Sequence, residues 1–196
     1  YEEIETSLNY MNFRVKETGE TIVIATTRPE LLCTCAAVLF NPDDSRFQHL
    51  KGKTAVVPIF SQEVPIRAHS SAKPEFGTGL MMACSYGDYS DLRLFRELNL
   101  KGVIAIDRVG RMNEVAGAYK ELLVDEARRR IIQDMADRGL IVKKEKIVHR
   151  TPTCWRSENP IEFIAIPEYY LKQLEFLDDV RFVVENMNRQ TVSHKY

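Results

Sequence analysis

The chain has 196 residues, 44% hydrophobic and 28% charged, with a formal net charge of -1. These values exclude a disordered or low-complexity chain and fit one sizeable core, or one domain with an extension. Near-neutral charge means that a nucleic-acid partner has to be held by a local basic patch, and the longest apolar runs, such as residues 36–40 and 56–60, fall far short of the roughly 20 residues a membrane-spanning helix needs.

No membrane partner is therefore expected. The chain opens on Tyr1-Glu2-Glu3 rather than on Met or a signal-peptide pattern, so it is read as a piece of a longer, cytoplasmic protein. Cys33, Cys35, Cys84 and Cys154 contain no Cys-x-x-Cys pair, which favours reduced structural thiols over a zinc site. No metal is expected.

In chain order, β-branched and apolar stretches at 21–27, 36–41, 54–60, 64–68 and 79–84 read as short strands. Asn41-Pro42-Asp43-Asp44 and Lys51-Gly52-Lys53 mark turns between them. Pro29 suits the first turn of a short helix, with Glu30 at the positive end of its dipole. A second helix is expected at 89–98, with Asp88 and Asp91 at its N-terminus beside free backbone donors.

The clearest helix spans 124–138: Ala127, Ile131 and Met135, with neighbouring Val124 and Ile132, recur on one face, Arg128, Arg129 and Arg130 are read as pointing outward, and Gly139 stops it. The arginine run reads either as a solvated face or as an RNA contact. Residues 140–148 alternate apolar and charged side chains like an edge strand. A last helix, 168–187, repeats Leu171, Leu174, Leu177 or Val180, and Val184 at helical spacing, which reads as packing. The whole predicts an α+β fold, a barrel or sandwich of short, mostly antiparallel strands with peripheral helices.

Two motifs could carry chemistry. Thr26-Thr27-Arg28-Pro29-Glu30 closes an apolar strand, and Phe76-Gly77-Thr78-Gly79 leads into Gly87-Asp88-Tyr89-Ser90-Asp91. Thr26 and Thr27 could hold a water or a sugar hydroxyl, and Arg28 a phosphate or carboxylate; threonines are equally ordinary in strands. Gly77 and Gly79 allow close backbone approach by a ligand, or mark a bulge. Asp88 and Asp91, three residues apart on a first helical turn, could take an ammonium and a hydroxyl, or one could simply be a cap. His49, His69, His149 and His194 are scattered and fit no catalytic template.

With Leu31-Leu32, Ala37-Val38, Asn41-Pro42-Asp43-Asp44 and Pro74-Glu75 added, these motifs resemble, in order and spacing, the inserted editing domain of class I aminoacyl-tRNA synthetases. The Thr-Thr-Arg-Pro-Glu form is most similar to the valyl type, with Glu30-Leu31-Leu32 pointing to its archaeal branch. Isoleucyl and leucyl types remain the alternatives, as does a non-catalytic module that binds the tRNA acceptor end. The synthetic signatures His-Ile-Gly-His and Lys-Met-Ser-Lys-Ser are absent from the sequence.

The resemblance implies an α+β editing domain with a β-barrel core and peripheral helices over 1–188, a tail over 189–196, and hydrolysis of the ester in mischarged tRNA, chiefly Thr-tRNA(Val). It implies the tRNA acceptor end and the rest of a parent synthetase as partners. No cofactor is implied in this domain, ATP being used by the synthetic domain. By position, Asp91 takes the substrate α-ammonium, Asp88 reads the threonine hydroxyl, and Thr26, Thr27 and Arg28 line the pocket and place the terminal adenosine. Asp91, Thr26 and Thr27 form the catalytic set, with Phe76, Gly77, Thr78 and Gly79 as a wall. Gly87 stands where many relatives carry histidine, and Met82 where bacterial valyl enzymes carry lysine. Catalysis is then expected to rest on holding the ester and a water in line, assisted by the free ribose hydroxyl.

Overall fold

A computed structural model describes residues 1–187. Its longest element is one the strand reading passed over: β1, Glu2–Val15. Met11, Phe13 and Val15 are buried at alternate positions along it, the period-two signature of a strand with one face in a core. After a turn closed by Gly19, at φ 71°, β2 (Thr21–Thr26) returns antiparallel and sets Ile24 opposite Met11 and Ile22 opposite Phe13.

The Pro29–Thr34 segment forms a short 3-10 helix with proline in its first turn, as expected, and leads into β3 (Cys35–Phe40). A second 3-10 turn, Ser45–Leu50, precedes β4 (Thr54–Val56) and β5 (Glu63–Ala68). The strand expected to reach residue 60 stops at Val56, because Ile59 and Ser61 adopt positive φ in the turn between β4 and β5.

β6 (Leu80–Cys84) completes a curled sheet in the order β2-β1-β4-β5-β3-β6. Every pairing along this path is antiparallel except β3 with β5, which run parallel, Val38 opposite Ile66. The curl brings the start of β6 back towards β2: the Thr78 hydroxyl, two residues before β6, donates to the Val23 carbonyl at 2.6 Å. β7 (Ile141–Thr151) lies on the outer edge of β1, from Glu2 opposite Thr151 to Met11 opposite Ile141.

The two faces of β3 explain how the helices are placed. Val38 and Phe40 enter the main core, while Ala37 and Leu39, with Ala83 of β6, form a second apolar layer. Leu94 and Phe95 of α1 (Tyr89–Glu97) fill that layer, each burial contributing on the order of 2 kcal/mol. α2 (Val124–Asp137) buries Val124, Ala127, Ile131 and Met135 in the main core, beside Leu31 and Leu32 of the Pro29–Thr34 turn. One expectation on this helix fails. Arg129 and Arg130 are exposed, but Arg128 turns inward to a buried carboxylate.

The chain divides into two compact units, Tyr1–Ala165 and Ile166–Tyr196. The second holds a 3-10 turn, Gln173–Phe176, and α3 (Leu177–Asn186), shorter than the helix expected over 168–187. None of the α3 residues is buried, so the apolar repeat read as packing finds no cover among the described residues of its own unit. The tail expected over 189–196 lies outside the described residues.

Candidate functional site

The site is built where the end of β2 meets the loops on either side of β6. After Thr26 the chain turns: the Thr26 hydroxyl accepts the Arg28 N–H at 3.0 Å, a local bond that ends the strand. Thr27 is half-buried, and its hydroxyl is not among the buried groups, leaving it reachable from solvent.

The Phe76–Gly79 loop packs onto this strand. Thr78 anchors it to Val23, and Gly77 comes so close to β2 that a Cβ there would lie 2.8 Å from the Ala25 Cβ. Gly77 and Gly79 both have positive φ, 60° and 88°, so glycine is required for conformation as well as space. The loop is held from behind by the Asn41-Pro42-Asp43-Asp44 segment, which the sequence marks as a turn and as part of the family resemblance. Asn41 donates to the Ala72 carbonyl at 2.9 Å, and buried Asp44 grips Arg46, whose guanidinium donates to the Pro74 carbonyl at 3.0 Å. Phe76, at the loop tip, is 53% exposed.

Asp88 and Asp91 form a reciprocal cap at the start of α1. The Asp88 carboxylate accepts the Asp91 N–H at 2.9 Å, and the Asp91 carboxylate accepts the Asp88 N–H at 3.0 Å. Asp88 also accepts the Ser90 hydroxyl at 2.7 Å and stays exposed. Asp91 is mostly enclosed. Burial first, and then the neighbouring Asp88 carboxylate, push its carboxyl up to about 7, against the lowering effect of backbone N–H groups and Arg28. It also borders a cleft of about 360 Å³ lined by Tyr86, Leu92, Phe95 and Arg96.

Gly87 is held by this arrangement. A Cβ there would stand 2.3 Å from the Asp91 Oδ2 and 3.2 Å from the Leu31 Cδ1. Any side chain at 87 has to displace the carboxylate that the cap holds. Tyr86, just before it, has a φ of 58°, a left-handed conformation rare outside glycine.

Arg28 joins the two motifs. Its Nη1 donates to the Gly87 carbonyl at 3.0 Å, its Nε to Glu30 at 2.8 Å, and its Nη2 to Glu162. Glu30 and Glu162 hold the guanidinium above its ordinary range despite burial. The structure thus brings together Thr26, Thr27, Arg28, Gly77, Thr78, Asp88 and Asp91, but it commits Arg28 and the Thr78 hydroxyl to internal bonds. Glu30 has no exposure at all. Burial alone would raise its carboxyl; hydrogen bonds from Arg128 and the charge of Arg28 outweigh that and hold it below the carboxylate range.

Among the described residues no histidine takes part: His49, His69 and His149 pair with Glu20, Ser71 and Thr151, and His194 lies outside them. The cysteines are free thiols, three of them buried. Burial pushes Cys33 up to about 12, and a hydrogen bond with Cys35, then burial, raises Cys84. Both stay protonated and are poor nucleophiles. Met82 packs on the main core. Among the described residues, no group of three or more His, Cys, Asp or Glu could hold a metal.

No family model matches the chain. It is 47% identical over 195 residues to the valine–tRNA ligase of Aeropyrum pernix, covering 100% of this chain and 24% of that protein. To the Pyrobaculum aerophilum valine–tRNA ligase it is 51% identical over 176 residues, covering 90% of this chain and 22% of that protein. To that of Methanocaldococcus jannaschii it is 38% identical over 194 residues. The chain is an editing-domain segment of the valyl-tRNA synthetase family.

This editing domain spans about a quarter of the length of the relatives it matches. Its fold is similar to that of the LeuRS of Agrobacterium radiobacter, crystallised in a ternary complex with tRNA and LeuAMS, with a TM-score of 0.56 and 17% identity. That match covers 74% of this chain and 20% of the LeuRS. The α+β reading and the curled sheet with peripheral helices agree with that neighbour.

Proposed function

We propose that this domain hydrolyses the aminoacyl ester of mischarged tRNA, with Thr-tRNA(Val) as its main substrate. The observation that carries this reading is the Arg28–Gly87 hydrogen bond, which brings the Thr26-Thr27 strand end to the Asp88–Asp91 cap. In this reading a hydroxyl pair, a glycine loop and an enclosed carboxylate act on one ligand. That set matches an α-amino ester on a ribose.

Hydrolysis needs water to add to the ester carbonyl carbon. The bond from that carbon to the ribose oxygen then breaks, and the ribose hydroxyl leaves with a proton. In this reading Asp91 takes the α-ammonium. One of its oxygens is held by the Asp88 N–H, which fixes the carboxylate, and the ammonium's positive charge favours its ionised form on binding. Asp88, exposed beside it, accepts the threonine hydroxyl. Thr27 binds the water or the free ribose hydroxyl, and the Gly77 and Gly79 backbone lets the terminal ribose approach closely. Exposed Phe76 offers a ring on which adenine stacks.

No side chain here has to act as a strong base, because orientation and an intramolecular hydroxyl supply the rate advantage. The need for such a site follows from pocket physics. A hydrophobic pocket rejects an isostere that merely adds a hydroxyl by only about a hundredfold, the valine enzyme facing threonine being the known instance rather than a value obtained from this structure. A second pocket that binds the hydroxyl completes the discrimination.

The test removes the charge that Asp91 is proposed to bind. Thr-tRNA(Val) and its N-acetylated form are offered to the 196-residue chain: the free amine should be released at least tenfold faster. Equal rates would remove Asp91 from the role of ammonium anchor.

A further inference from the structure

Arg128 is absent from the motifs that carry the site, yet it reaches it. It sits on the buried stripe of α2, four residues after Val124 and three before Ile131, so packing of that helix fixes where its guanidinium points. Its Nε donates to the Glu30 Oε2 and its Nη2 to the Glu30 Oε1, both at 2.9 Å, a two-pronged grip between residues 98 positions apart. Asp125 accepts from its Nη1 at 3.1 Å.

Glu30 in turn accepts from Arg28 Nε, and Arg28 Nη1 ends on the Gly87 carbonyl. The next residue is Asp88, whose N–H is held by the Asp91 carboxylate. One continuous chain of charge-assisted bonds therefore runs from α2 to the cap. Stability alone is a weak reason for it, since a buried ion cluster is often no more stable than apolar residues of the same volume. Its far end, at the backbone that carries Asp91, supplies a better one.

We propose that Arg128 is a positioning residue for ester hydrolysis: through Glu30 and Arg28 it fixes the 87–91 turn, and with it the Asp91 carboxylate. This rests on the proposed function for its catalytic consequence. The positional claim stands on geometry alone.

The test uses the 196-residue chain with Arg128→Gln, Arg128→Lys, and the double change Arg128→Gln with Glu30→Gln. Four quantities are read: kcat and KM on Thr-tRNA(Val), amide hydrogen exchange at Asp88, and Tm. Arg128→Gln should lower kcat roughly 10- to 100-fold, the scale expected for a displacement of about 1 Å at a reacting centre. KM should change less, and Asp88 should exchange faster while β1 keeps its protection. Arg128→Lys keeps the charge without the fork and should fall between.

The double change removes the unpaired buried carboxylate, so it should recover Tm but not kcat. Should Arg128→Gln fail to fold, the double variant carries the test. Wild-type kcat and Asp88 exchange in a folded variant would overturn the proposal, as would recovery of both kcat and Tm in the double variant. A wild-type chain no faster than Asp91→Asn would instead overturn the proposed function, and exchange at Asp88 would still decide whether Arg128 holds the turn.

Discussion

Asp91 combines two demands that conflict. Its ordinary carboxyl pKa is 3.8, and burial beside Asp88 raises it to about 7 in the folded domain. Between those values the folded state binds more protons than the unfolded one, so this group's contribution to stability is lost as pH rises from about 4 to 7. Asp91→Asn keeps the shape and an acceptor for the Asp88 N–H but removes the charge. The variant should therefore be stabilised at pH 8 relative to wild type, by about 1–3 kcal/mol after allowing for partial solvent access. No gain is expected at pH 4, and urea unfolding at the two pH values checks this. Activity should move the opposite way, a trade between stability and function.

The same carboxylate gives the reaction an acid limb. Only its ionised form holds an ammonium, so kcat/KM should fall as pH drops below about 7, with Asp88 and Arg28 as the charged groups that set the midpoint and the neutral Cys84 thiol adding no charge. A pH–rate profile flat from 5.5 to 8 would contradict this. Gly87→Ala puts a methyl 2.3 Å from the Asp91 Oδ2. It should cost about 1–3 kcal/mol of stability and lower deacylation at least tenfold, which thermal unfolding and a single-turnover assay would measure.

Among the elements, the strands and helices that surround the site were legible where the chain alternates or repeats cleanly. β2, β3 and α1 lie within a residue or two of their expected positions, and α2 carries the apolar stripe its spacing predicts. β1 was passed over because its first half is acidic and polar, and only Met11, Phe13 and Val15 alternate as a buried face.

Arg128 was misread from its two arginine neighbours, although its own position on the Val124–Ile131 stripe marked it as inward. Glu30 was read as a dipole partner, and nothing local in the sequence marks it as a buried acceptor for a residue 98 positions away. The support of the Phe76–Gly79 loop by Asn41 and Asp44 was hidden for the same reason, as was the return of β6 to β2. Thr78→Val tests that return, because it removes the hydroxyl bonded to Val23 while keeping the volume. A loss of about 1 kcal/mol and a several-fold fall in kcat/KM are expected, to be read by urea unfolding and steady-state kinetics.

At the scale of the whole molecule, the site lies wholly within the Tyr1–Ala165 unit, and the residues that build it come from the ends of β2, β6 and α1 together with α2. The curl of the sheet brings these ends together, and sequence spacing alone does not encode it. What the sequence did carry was the order of the motifs, enough to relate the chain to synthetase editing domains before any contact was known.

The central claim is that this pocket discriminates by the hydroxyl of the amino acid, read by Asp88, and holds its α-ammonium through Asp91. Its most direct test is the release of amino acid from Thr-tRNA(Val) and Val-tRNA(Val) by wild type and Asp91→Asn, each within the full-length parent synthetase. The account predicts that wild type frees threonine at least a hundredfold faster than valine, and that Asp91→Asn slows threonine release at least tenfold. Equal release of both amino acids by wild type, or undiminished threonine release by Asp91→Asn, would contradict it.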